Sequence, residues 1–133
     1  MKIRSTPTII VNLVLFIFFG LSISAFADSM KIAVAATGPE KDAAISQQAG
    51  RTPFFLFFND KGNFLEAVEN PSRDRSRNAG PNAALFLADK GVTLVIAGNI
   101  GNKMEQALRD DQIEYIEKTG AAYDVVQTII QDR

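Results

Sequence analysis

The chain contains no cysteine and no histidine among its 133 residues. Without cysteine there are no disulfides, and the double absence removes the usual ligands of zinc, iron–sulfur clusters and haem. Nucleophilic triads built on cysteine or histidine are excluded as well. A serine–lysine pair among Ser46, Ser72 and Lys103 has no spacing to recommend it. Basic charge is not in excess either: 14 Lys and Arg stand against 15 Asp and Glu. Broad nucleic-acid binding needs a basic face to displace counterions from phosphates, so no nucleic-acid partner is expected. The aromatic residues do not change this, because Phe54, Phe55, Phe57 and Phe58 stand in a run without interleaved cations. Such a run is core and not a stacking platform for bases.

Charge and hydropathy are distributed unevenly at the start of the chain. Lys2 and Arg4 precede an apolar run over 9–20, and Ala25-Phe26-Ala27 then matches the small-x-small pattern of a signal peptidase site. Residues 1–27 read as a secretory signal peptide, which makes the protein exported, periplasmic or secreted. The alternative is an uncleaved anchor, since 9–27 is long enough to span a bilayer. Asn12, Ser22 and Ser24 within the segment, and its Ala-Phe-Ala ending, suit an exported precursor with no membrane association after cleavage. Without that segment 12 basic residues face 15 acidic ones, a net charge of −3. Residues 28–133 suffice for one domain that buries roughly two thirds of its unfolded surface without staples.

What remains reads as alternating strands and helices. Residues 31–36 are small or β-branched and end at the turn Thr37-Gly38-Pro39, and a polar excursion follows over 40–50. The run 54–58 is a strand buried on both faces, and Asn59-Asp60-Lys61-Gly62 is a hairpin turn. Residues 64–68 return antiparallel as a half-solvated edge carrying Glu66. A loop over 70–80 holds Pro71 and three arginines, Arg73, Arg75 and Arg77. Pro81 suits the first position of a helix that Gly91 stops, and Ala83, Ala84, Leu87 and Ala88 give it a flat face. A strand over 93–97 runs into Gly98-Asn99-Ile100-Gly101, and a helix over 103–110 follows. Asn102 with Glu105 three residues on resembles a capping box for that helix. A short edge strand at 114–117 and a helix from about 123 to 131 complete the chain.

This order, β-β-β-α-β-α-β-α, predicts an α/β fold. It is a mixed five-stranded sheet of order 3-2-1-4-5, with strand 2 antiparallel and three helices on the faces. Strands 1 and 4 leave toward opposite edges, which opens a crevice at their carboxyl ends, lined by Ala36-Thr37-Gly38 and by 98–101. A strand, a glycine turn and a helix start leave free N–H groups pointing outward, where they favour an anion. Close packing of the next helix accounts for Gly98 and Gly101 as well as a ligand does. The Asn99 amide both donates and accepts at the crevice. Arg51, Arg73, Arg75 and Arg77 can pair with an anion. They can equally be a solvated charge run offset by Asp74 and Glu69.

Several motifs, in order, resemble one family. They are Met30-Lys31-Ile32-Ala33-Val34-Ala35, Gly50-Arg51-Thr52-Pro53-Phe54-Phe55-Leu56, Glu69-Asn70-Pro71, Ala79-Gly80 and Ile96-Ala97-Gly98-Asn99-Ile100-Gly101. The chain from about 30 to 130 resembles the dinitrogenase iron–molybdenum cofactor biosynthesis family, small ribonuclease-H-like domains thought to bind or carry iron–sulfur precursors of that cofactor. The resemblance implies an iron–sulfur or iron–molybdenum cluster precursor as ligand. In many relatives the helix start reads His-Gly-Ala-Gly, where this chain has Arg77-Asn78-Ala79-Gly80. A two-metal nuclease, which a ribonuclease-H-like fold brings to mind, needs carboxylates on the first and central strands, and 31–36 has none. The expectation is therefore a non-catalytic, exported binding domain for a metal cluster or other small anion. The alternative is a periplasmic protein-interaction module with a protein partner. The candidate ligand-binding residues are Thr37, Gly38, Arg51, Arg77, Asn78, Gly98, Asn99 and Gly101, with no metal-ligating side chain among them.

Overall fold

The computed structural model describes residues 29–133. The segment read as a secretory signal, 1–27, lies outside the described residues. The strands are β1 (Ile32–Ala36), β2 (Phe54–Phe58), β3 (Phe64–Glu69), β4 (Leu94–Ala97) and β5 (Glu114–Glu117). The helices are α1 (Ala79–Asp89), α2 (Asn102–Asp110) and α3 (Ala122–Gln131). The sheet order is β3-β2-β1-β4-β5. β1 runs parallel to β4 with Ile32 opposite Leu94, β4 runs parallel to β5, and β2 is antiparallel to both of its neighbours. The order and directions are those the sequence predicts: β3 to β4 and β4 to β5 cross over through a helix, β2 turns back into β3 over 59–63, and the excursion over 37–53 returns the chain antiparallel from β1 to β2.

Successive strand side chains point to opposite faces, and the three central strands are apolar on both. Ala33, Ala35, Phe55, Phe57, Val95 and Ala97 face α1 and α2, packing on Ala83, Ala84, Leu87, Met104 and Leu108. Ile32, Val34, Leu56, Phe58, Leu94 and Ile96 face α3, packing on Ala122, Val126 and Ile129. The result is three layers with the sheet in the middle. Charge sits on the two edges, on Glu66 and Glu69 of β3 and Glu114 and Glu117 of β5, where it discourages pairing with another chain. Among the described residues no helix is long and apolar enough to cross a membrane.

Two local expectations change. α1 begins at Ala79, two residues before Pro81, and its first bond runs from the Asn82 N–H to the Asn78 carbonyl at 3.1 Å. Proline is tolerated anywhere in the first turn, because none of those N–H groups has an intrahelical acceptor. The polar excursion is also partly ordered against the sheet. Ala36 bridges Ile45, Ala44 bridges Ala121, and the Ser46 N–H donates to the Ala35 carbonyl at 2.8 Å.

Candidate functional site

At the carboxyl ends of β1 and β4 three segments converge: the loop after β1, the start of α1 and the start of α2. Glycines allow the approach. A Cβ on Gly50 would lie 2.8 Å from both the Cα and the nitrogen of Gly80, and a Cβ on Gly80 would lie 2.9 Å from the Cβ of Met104. Side chains at either position would force these backbones apart. Because they are absent, two helix N-termini stand side by side around a cleft of about 940 Å³.

Neither N-terminus is capped by a side chain. The capping box expected from Asn102 and Glu105 does not form. Gly101 is the N-cap, with φ −68° and ψ 158°, and its carbonyl accepts from the Glu105 N–H at 2.9 Å. The Glu105 carboxylate instead accepts from the Tyr115 hydroxyl at 2.9 Å and pairs with Arg109 at 3.7 Å. Each uncapped N-terminus carries about half a unit of positive charge on its unpaired N–H groups. Three cations, Arg51, Arg77 and Lys103, line the same cleft, and no carboxylate does. Among the described residues none of the three forms an ion pair. The remaining polar lining consists of Ser76 and the carboxamides of Gln47, Gln48, Asn78, Asn99 and Asn102. A site of this kind offers hydrogen bonds and positive potential to an anion with many acceptor atoms. It offers no thiolate or imidazole for a bare metal ion, and among the described residues no cluster of acidic side chains substitutes for them.

Arg51 has a second task. Its Nε donates to the Arg75 carbonyl at 3.3 Å and its Nη2 to the Ser76 carbonyl at 3.2 Å, which straps the arginine loop over one wall. Asn70 supports the strap from below, donating from Nδ2 to the Gly50 carbonyl at 3.0 Å and accepting from the Ser72 N–H at 2.9 Å. The loop therefore has a defined course although it contributes little to the core. Arg73 pairs outward with Glu69 at 3.3 Å, and only Arg77 of the three loop arginines lines the cleft.

Of the residues singled out from sequence, Arg51, Arg77, Asn78, Asn99 and Gly101 line this cleft together. Thr37 and Gly38 stand outside the lining, because the return segment 44–46 occupies the space over the end of β1. The Thr37 N–H donates to the Ala44 carbonyl at 3.0 Å. Gly98 lies directly under the Gln47 carboxamide instead of facing the opening. The crevice is thus displaced from the β1–β4 junction toward α1 and α2. Sequence reasoning missed Gln47, Gln48, Gly50, Gly80 and Met104. The glycines carried a signal only as a pair, since what each must admit is another backbone distant in sequence.

Residues 30–132 match a family model described as dinitrogenase iron-molybdenum cofactor. No curated protein matches the chain. Among solved structures, the apo form of the orange protein from Desulfovibrio gigas is 29% identical, with a TM-score of 0.74 over 80% of this chain and 91% of that one. A NifB-type protein from Thermotoga is 21% identical, with a TM-score of 0.67 over 78% of this chain and 90% of that one. A dinitrogenase-type protein from Methanocaldococcus jannaschii is 17% identical, with a TM-score of 0.54 over 80% and 92%. The last two likenesses speak to the fold alone.

Proposed function

Because the chain belongs to the dinitrogenase iron–molybdenum cofactor family, we propose that it is an exported, non-catalytic domain that holds a preassembled anionic metal cluster, or a comparable small polyanion, in the cleft at the starts of α1 and α2. The observation that carries this reading is the composition of the lining: three cations, two uncapped helix N-termini, five carboxamides and no carboxylate. The cargo is held by charge and by hydrogen bonds to its outer atoms, in the way that helix N-termini hold phosphates. The residues present fit a cluster that brings its own sulfide or oxide shell, and they do not fit assembly of a cluster from free metal ions. The similar orange protein is known in an apo form, which supports a ligand for a domain of this kind.

Native mass spectrometry of the protein purified anaerobically from its host, with metal analysis and a visible spectrum, tests the reading. A retained cluster appears as added mass and absorbance, and N-terminal sequencing of the exported form should begin at Asp28. A colourless, metal-free protein that gains no thermal stability from molybdate overturns it. A second reading, a module that docks a protein partner, draws on the exposed Arg73 and Arg75 beside the cleft. It requires a periplasmic partner whose capture is abolished by Arg73→Ala with Arg75→Ala.

A further inference from the structure

Gly98 has no conformational reason to be glycine. Among the described residues the glycines with positive φ are Gly62, Gly91 and Gly120. What Gly98 leaves is room. A Cβ built there would lie 2.8 Å from Gln47 Nε2, 2.9 Å from its Cδ and 3.0 Å from its Oε1. The Gln47 carboxamide is therefore seated on the Gly98 backbone, in space that any side chain at 98 would fill. The backbones on both sides of this contact are tied together. The Gly98 N–H donates to the Ser46 carbonyl at 2.8 Å, and the Ala49 N–H donates to the Asn99 carbonyl at 3.2 Å. Hydrogen bonding engages the neighbour Ser46, whose Oγ accepts from the Gln48 N–H at 3.2 Å. Gln47 is exposed on the wall of the cleft, and among the described residues its carboxamide has no protein partner, which leaves its N–H donors open to a bound molecule.

We propose that Gln47 is a ligand-contacting side chain of the cleft and that Gly98 is its positioning residue. This rests on the cleft holding a polyatomic anion, as argued above. The carboxamide donates to an acceptor atom on the anion through its Nε2–H. It adds a donor without adding charge, so it selects for the placement of acceptor atoms on the ligand and not for total charge.

The test is calorimetric titration of the protein, as its host processes it, with molybdate as the probe. A hydrogen bond to a charged acceptor is worth about ten- to a hundredfold in affinity, so Gln47→Ala weakens binding about tenfold or more. Gly98→Ala weakens it by a similar factor with almost no change in the thermal midpoint, since the displaced atoms are the mobile end of a side chain. The double variant binds no more weakly than either single one. Gln47→Glu, with the same shape and a negative charge, binds more weakly than Gln47→Ala. Nuclear Overhauser contacts between the Gln47 side-chain amide and the Gly98 α-protons are present in the parent and lost in Gly98→Ala. If the parent binds molybdate and both single variants bind it equally well, or if their effects add, the assignment of Gln47 and Gly98 is wrong. A parent that does not bind molybdate removes the cleft reading, and this one with it.

Discussion

Replacing Gly80 with alanine puts the packing of the cleft under direct test. The new Cβ would stand 2.9 Å from the Cβ of Met104, whereas carbon atoms pack best at about 3.5–4.0 Å. Helix α1 cannot simply retreat, because its other side carries the backbone of Gly50, whose own Cβ position is 2.8 Å from Gly80. Overpacking of this kind costs about 1–3 kcal/mol. Alanine's better helix propensity returns up to about 1 kcal/mol, and less in the first turn. The net expectation is a loss of about 1–2 kcal/mol, or about 5–10 °C in the midpoint of a domain this size. Urea denaturation of the single and double variants gives the value directly. Since the offending atom is a Cβ, Met104→Gly should relieve Gly80→Ala, with a coupling of about 1 kcal/mol. Met104→Ala, which keeps that atom, should not relieve it. A Gly80→Ala variant as stable as the parent, or equal relief by Met104→Ala and Met104→Gly, would refute the claim that this contact holds the two helix starts together.

Glu117→Ala removes the carboxylate that accepts the Ile100 N–H at 2.9 Å. It should cost about 1–3 kcal/mol in urea denaturation, while Glu117→Gln keeps an acceptor and costs less than half as much. Gln112 sits at φ 59° just past α2, with its own N–H on the Arg109 carbonyl at 3.0 Å and the Ile113 N–H on the Leu108 carbonyl at 2.8 Å. That is the geometry in which glycine is favoured, so Gln112→Gly should stabilise by about 1 kcal/mol and raise the thermal midpoint. Molybdate binding should weaken steeply between 0.1 and 1 M salt as the Debye length falls from about 10 to 3 Å. Binding that ignores salt would point to coordination in place of charge pairing.

The sheet was legible because its three central strands are unbroken apolar runs and their connections differ in kind: a short turn between β2 and β3, helices between β3 and β4 and between β4 and β5, and the long excursion over 37–53 between β1 and β2. Gly62 was legible too: it adopts φ 82°, and Asn59 Oδ1 accepts from the Lys61 and Asn63 N–H groups at 3.0 and 2.9 Å, as the turn composition predicts. The capping of α2 was not, since Asn-x-x-Glu fits two registers one residue apart and the Tyr115 hydroxyl, distant in sequence, takes up Glu105. Nor did any local pattern reveal that 44–46 folds back on Ala35 and Ala36. That pairing is held by long-range backbone bonds, and it moves the opening away from Thr37 toward Arg77 and Lys103.

The helix start over 77–80 shows how the chemistry of a site can change on an unchanged backbone. Asn78 holds φ 57° and ψ 31°, a left-handed conformation that glycine enters freely and asparagine tolerates better than most residues. The pattern His-Gly-Ala-Gly seen in many relatives by resemblance has glycine at that place, and asparagine suits the same turn. Gly80 remains, and with it the close approach to Met104. At residue 77, where the pattern of the resembled family has histidine, this chain carries a guanidinium that can only donate hydrogen bonds and carry charge. Lys103 across the cleft adds a second cation, and the uncapped start of α2 adds further donors. Every substituent therefore acts in the same direction. On the proposed reading, a cleft that offers cations and N–H donors but no thiolate or imidazole should take up a finished polyanion in preference to free metal ions, and metal analysis after incubation with each would check that order.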